Sequence, residues 1–157
     1  LMNVMLLEIL SSEAVIPALK ANGKKQALQE ISAHAARLTG LEAHEIFETL
    51  LQRERLGSTG IGEGIAIPHG KLADIDKLFG LVARLEKPID FEAIDGMPVD
   101  FLFLLLAPEA AGADHLKALA RIARVLRNPG VLERLRAATD GDAIYAVLME
   151  NSAPQAA

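Results

Sequence analysis

Apolar positions along the chain keep two different periods. Ala27, Leu28, Ile31, Ala35 and Leu38 follow the three-and-four spacing of one helix face, and after a stop at Thr39 and Gly40 that spacing returns at Ala43, Ile46, Phe47, Leu50 and Leu51. The pattern predicts two amphipathic helices joined by a tight connection. Ahead of them, "VIPAL" (Val15 to Leu19) is short, β-branched and interrupted by Pro17, which reads as a brief edge strand. Beyond them the period becomes that of strands: "GIAIP" (64–68), "LFGLVARL" (78–85) and "VDFLFLLL" (99–106) are apolar runs bounded by Gly, Pro and Asp. The last is apolar on both faces, as a central strand requires.

The segment "AIDGMP" (93–98) carries an Asp-Gly reversal. Leu116, Leu119, Ala120, Ala123, Val125 and Leu126 then predict a further helix, ended by "NPG" at Asn128 to Gly130. A short helix around Val131 to Arg136 and a last one over "DAIYAVLME" precede a polar tail. Helices before and after a block of strands imply an α/β fold with a mixed sheet covered on both faces. There is no internal repeat, low-complexity segment or interdomain linker, so with Leu1 set aside the chain reads as a single domain over residues 2–157.

Composition narrows the class. At 157 residues and 51% hydrophobic, the chain can bury one good core. The longest apolar run, Phe101 to Ala107, falls well short of the roughly 20 residues that cross a bilayer, and no secretion signal opens the chain. The absence of cysteine removes disulfides, thiolate metal sites and a cysteine nucleophile, and fits a cytoplasmic location. A net charge of −5 with scattered basic residues argues against nucleic acid as a partner.

The densest chemistry lies in "GSTGIGEGIAIPHGK" (57–71). Its glycines do not fit the dinucleotide spacing at i, i+2 and i+5. The phosphate-loop pattern fails too, because Leu72 follows Gly70-Lys71 where Ser or Thr must hold magnesium, and Ile65 stands where a glycine is required. What remains is a loop able to take positive φ at several positions, followed by a strand ending at Pro68. Pro68 fixes its own φ and Gly70 lets the chain turn away, so the imidazole of His69 is expected to project from the end of a rigid strand, as a nucleophile or base is presented. A surface histidine at a strand end is the plainer alternative.

The stretch "RERLGSTGIGEGIAIPHGK" (53–71) resembles the active-site signature of the mannitol/fructose-type enzyme IIA domains of the bacterial sugar phosphotransferase system, most of all their free-standing nitrogen-regulatory branch. The similarity continues through "AIDGMPVDFLFLLLAP" (93–108) and "DHLKALARIARVLR" (114–127), and spans about Leu6 to Glu150. The resemblance implies a three-layer α/β/α sandwich around a mixed sheet, and a phosphohistidine relay that regulates rather than turns over substrate. It implies that His69 receives a phosphoryl group, through Nε2, from a small histidine phosphocarrier protein of the HPr kind. It further implies that Arg53 faces that group and that His115 is the second active-site histidine. No cofactor and no metal belong to such a site.

Residue chemistry supports these roles. Imidazole is a nucleophile that is neutral near cellular pH. Nitrogen-to-nitrogen phosphoryl transfer passes through a loose transition state that needs alignment and positive charge, which the planar fork of Arg53 suits. By residue type alone, Arg53 is equally a surface partner of Thr49 or Glu54. His115 follows Asp114, a good N-cap residue, and opens a predicted helix whose amides add donors; by itself such a histidine is as readily solvated. Ser58, Thr59, Gly60 and Lys71 are further candidates for phosphate contacts, whereas His34 and His44 fall at helix-stripe edges and are set aside.

Two competing readings are a metallohydrolase, with His69, His115 and Asp114 or Glu63 on zinc, and a binding module that is never phosphorylated; the first lacks the HExxH or paired-histidine spacing. Within the family reading, a sugar-specific role would pass phosphoryl to a fructose/mannitol-type enzyme IIB. With no membrane domain or second phosphorylated domain expected on this chain, regulation of nitrogen or potassium physiology is favoured, through a potassium transporter or a sensor kinase.

Overall fold

The computed structural model describes residues 6–151; the polar tail beyond them and the first residues of the expected 2–157 domain lie outside the described residues. A short helix α1 (Leu6–Ile9), which no period announced, precedes β1 (Val15–Leu19). The two predicted helices follow as α2 (Lys24–Thr39) and α3 (Ala43–Arg55). Gly40, at φ 79°, closes α2 in the left-handed conformation that glycine adopts without steric cost, and its amide bonds Ala36 O.

Strands β2 (Gly60–Gly62) and β3 (Ile65–Ala66) form a hairpin in which Gly62 opposes Ile65. Its two turn residues, Glu63 and Gly64, both have positive φ (59° and 82°), as a tight turn matching strand twist demands. Strand β4 (His69–Leu72) resumes after Ile67 and Pro68, and then come β5 (Phe79–Ile89) and β6 (Val99–Pro108). The sheet runs β1-β5-β6-β3-β2, with β4 also on β6. Pairs β1–β5, β3–β6 and β4–β6 are parallel, whereas β5–β6 and β2–β3 are antiparallel, so the sheet is mixed. "VIPAL" is an edge strand and "VDFLFLLL" a central one, as the pattern implied; every residue from Phe101 to Ala107 is buried.

Three expectations need correction. The "GIAIP" run is not one strand ending before His69: Leu105 N bonds Pro68 O, and pairing with β6 continues from His69 to Leu72. Gly70 is therefore no turn. It is a point of close approach, where an added Cβ would stand 2.5 Å from Thr49 Cγ2 of α3. Asp114, finally, is not an N-cap: it lies in the first turn of α4 (Ala113–Arg127), behind Gly112. The "NPG" stop does end α4, and it also starts α5 (Pro129–Ala137), because Asn128 caps Gly130 N and Val131 N with Pro129 in the first turn. Helix α6 (Gly141–Glu150) follows, capped by Asp140.

Helices α2 and α3 pack on each other and on β5 and β4, while α4, α5 and α6 form a second layer against β6 and β1. The result is an α/β/α sandwich with one apolar cluster drawn from all three layers. Arg84 of β5 ties the sheet to the second layer by donating to Pro17 O (3.0 Å), Leu135 O (3.0 Å) and Ala138 O (2.6 Å). Among the described residues, no helix is long and apolar enough to cross a membrane.

Candidate functional site

The sandwich brings together side chains from three elements. His69 opens β4, Arg53 lies in the last turn of α3, and His115 lies in the first turn of α4. The close contact at Gly70 sets α3 against β4, and Arg53, one turn beyond Thr49, thereby reaches the imidazole: Nε donates to His69 Nε2 at 3.3 Å. Arg53 Nη1 donates to Gly57 O at 2.9 Å, which fixes the guanidinium. The rings of His69 and His115 meet edge-on, with centroids 5.5 Å apart.

The tautomer of His69 follows from its neighbours. Nδ1 lies 2.8 Å from Ile67 O, which can only accept, so Nδ1 carries the proton. Arg53 can only donate, so Nε2 must present a lone pair. Both contacts demand the same neutral ring. Burial of the half-buried imidazole lowers its pKa from the ordinary 6.5, and the Arg53 charge adds to that, against opposing effects of the Ile67 carbonyl and Glu54.

His115 is buried, and its Nε2 has no hydrogen-bond partner among the described residues. Its pKa is also lowered, first by burial and then by the charges of His69 and Lys71. An unpaired buried nitrogen beside a nucleophile is costly unless a group arrives to satisfy it. The solvated alternative for His115 is thereby excluded.

The other candidates divide. Lys71 is exposed on β4, two residues beyond His69. Ser58 is engaged elsewhere, donating to Phe91 O at 2.7 Å and accepting from Gly60 N at 3.0 Å. Thr59 is buried, and both its amide and its hydroxyl donate to the Glu54 carboxylate. Gly60 admits no side chain, because a Cβ would meet Ala93 Cβ at 2.8 Å. These residues shape the loop. His34 is half-buried on α2 and His44 exposed on α3, and neither belongs to the core. Among the described residues, no group of three His, Asp or Glu side chains is placed to share a metal ion. Glu54 was missed by the sequence reading; a carboxylate beside a site arginine looks like any helix-end charge until its burial is seen. Leu56, which no pattern singled out, is 85% exposed, and Leu116, counted in the apolar period of α4 and next in the chain to His115, is 68% exposed and not part of the core.

The mixed-sheet α/β/α sandwich thus directs a neutral imidazole lone pair at an arginine, with a second, buried histidine ring edge-on beside it. The comparisons with known proteins make the class specific. The model of the family described as "Phosphoenolpyruvate-dependent sugar phosphotransferase system, EIIA 2" matches residues 8–151, and this chain belongs to that family as a phosphotransferase component. It is 62% identical over 141 residues to the nitrogen regulatory protein of Bradyrhizobium diazoefficiens, covering 90% of this chain and 92% of the relative. It is 42% identical over 144 residues to that of Pseudomonas aeruginosa, covering 91% and 94%. Among solved structures it is similar to nitrogen regulatory protein IIA-Ntr from Neisseria meningitidis, with a TM-score of 0.86 and 34% identity, covering 91% of this chain and 98% of that one.

Proposed function

We propose that this chain, a single enzyme IIA domain over residues 2–157 acting in the cytoplasm, accepts a phosphoryl group on Nε2 of His69 from an HPr-like histidine phosphocarrier and serves as a nitrogen- and potassium-regulatory switch. The observation that carries the reading is the hydrogen-bonding of His69, which leaves Nε2 as the only ring lone pair and directs it at Arg53. In the transfer, the Nε2 lone pair forms the new N–P bond as the N–P bond of the donor phosphohistidine breaks, and the donor imidazole keeps the bonding electron pair. The proton stays on Nδ1 throughout, donated in a hydrogen bond to Ile67 O. Arg53 and His115 supply donors to the phosphoryl oxygens, His115 as the neutral tautomer that carries its one ring proton on Nε2. Leu56 and Leu116 give a partner apolar purchase beside the site.

The relatives named nitrogen regulatory proteins support regulation over sugar uptake. Targets of the potassium-transporter or sensor-kinase kind would distinguish phosphorylated from unmodified His69. Incubation with phosphoenolpyruvate and the upstream phosphocarrier components tests the relay. Wild-type protein is expected to gain one acid-labile phosphoryl group, and folded His69→Ala none. Equal labelling of the mutant would overturn the assignment.

A further inference from the structure

Glu54 sits one residue from Arg53 on α3, yet its side chain turns into the protein and is only 3% exposed. A carboxylate so placed must be compensated, because leaving a buried charge unpaired is costly. Lys24 Nζ at the start of α2 lies 2.9 Å from Oε1, and the Lys24 ammonium also rests over the Phe91 ring, 5.0 Å from its centroid. The other partners come from Thr59: its amide reaches the two carboxylate oxygens at 3.1 and 3.3 Å, and its hydroxyl donates to Oε2.

From Thr59 the hydrogen bonds continue to the imidazole. Thr59 O accepts from Ile67 N at 3.0 Å, and Ile67 O accepts from His69 Nδ1 at 2.8 Å. On the other side of His69 the main chain alone makes the link: the backbone carbonyl of Glu54 accepts from Gly57 N at 3.1 Å, and Gly57 O holds Arg53 Nη1 at 2.9 Å. The N–H and C=O used on Thr59, and those on Ile67, lie on opposite sides of a Cα. The chain therefore transmits position rather than electron density.

We propose that Glu54, paired with Lys24, is a positioning residue for phosphoryl transfer: its carboxylate anchors Thr59, and through Thr59 and Ile67 holds the carbonyl that fixes the Nδ1–H tautomer of His69. The proposal rests on His69 being the acceptor. The charge matters as well as the shape. A glutamine of equal size offers one oxygen where the carboxylate offers two, and its NH2 cannot accept from the Thr59 amide or from Lys24.

The test uses Glu54→Gln, Thr59→Val, and Lys24→Met with Lys24→Arg as its conservative partner, in the full chain. Ring 15N shifts of His69 at a pH where the imidazole is neutral report the tautomer without any phosphoryl donor, and a phosphorylation time course reports transfer. Glu54→Gln is expected to slow phosphoryl acceptance at least tenfold and to move the His69 shifts from the pure Nδ1–H form toward a mixture. Lys24→Met should do the same more weakly, with Lys24→Arg restoring both readouts. Thr59→Val, which keeps the amide and loses the hydroxyl, gives a partial effect if Glu54→Gln fails to fold. Wild-type rates and unmoved His69 shifts in folded Glu54→Gln, or in Thr59→Val and Lys24→Met where it does not fold, overturn the proposal. If wild-type protein takes no phosphoryl group while the variants still disturb the tautomer, the His69 assignment fails and the positioning of the ring by Glu54 stands.

Discussion

Gly70→Ala is a one-carbon change that reaches from packing to chemistry. The added Cβ would lie 2.5 Å from Thr49 Cγ2, and carbon atoms in contact sit about 3.5–4.0 Å apart, so about 1 Å must be found. Thr49 cannot readily rotate its methyl away, because its hydroxyl is held by Glu45 O at 2.8 Å. Helix α3 must instead lift from β4, which costs about 1–3 kcal/mol as an overpacked contact. For a chain of this size about 2 kcal/mol lowers Tm by about 4–8 °C. The same lift carries Arg53, one turn further on, away from His69 Nε2, and a bond of 3.3 Å has no slack to absorb it. Stability by denaturant unfolding and phosphoryl acceptance by a time course should therefore fall together. Thr49→Ser removes the offending methyl and keeps the hydroxyl, so the double variant should recover both, with a coupling of about 1–2 kcal/mol in a double-mutant cycle. Gly70→Ala as stable as wild type, or a defect that Thr49→Ser leaves untouched, would refute the close-approach account.

Arg53→Lys keeps the charge but cannot serve His69 and Gly57 O together, and is expected to cost about 2–3 kcal/mol of transition-state stabilisation in single-turnover transfer; a wild-type rate would remove Arg53 from the site. With the His69 pKa below 6.5, the neutral nucleophile persists through pH 7, so the acceptance rate should be flat from pH 7 to 8 and fall on acidification with an inflection below 6.5. The linkage has the same sign. His69 and His115 are both depressed in the folded state, so the unfolded chain binds more protons around pH 6, and stability should decline as pH drops through the interval below 6.5 in unfolding titrations. Phosphorylation adds about −1.5 to −2 charges beside the exposed Leu56 and Leu116, so a regulatory target should distinguish the two forms at least tenfold, about 1.4 kcal/mol, by titration calorimetry. His69→Glu should imitate the charged form only in part, and equal affinities of the two phosphorylation states would leave a relay without a switch.

Local pattern alone was enough to announce α2, α3 and α4, the edge position of β1 and the central position of β6. In each, the period of apolar residues reports which face is buried, whatever covers it. The hairpin glycines were legible for the same local reason, since positive φ at a turn is a property of the residue itself. The resemblance of residues 53–71 and 114–127 to a known family singled out His69, Arg53 and His115, and the folded chain brings those three together. What pattern could not supply was the meeting of segments far apart in the chain. That Gly70 is a contact with α3 and not a turn, that β4 continues along β6, that Arg84 binds carbonyls of β1 and α5, and that Glu54 is buried against Lys24 and Thr59 all depend on partners from other elements. Even the protonation of His69 belongs to this second kind. The imidazole of an isolated chain exchanges between two neutral tautomers, and only a carbonyl on one side with a guanidinium on the other makes the Nδ1–H form necessary.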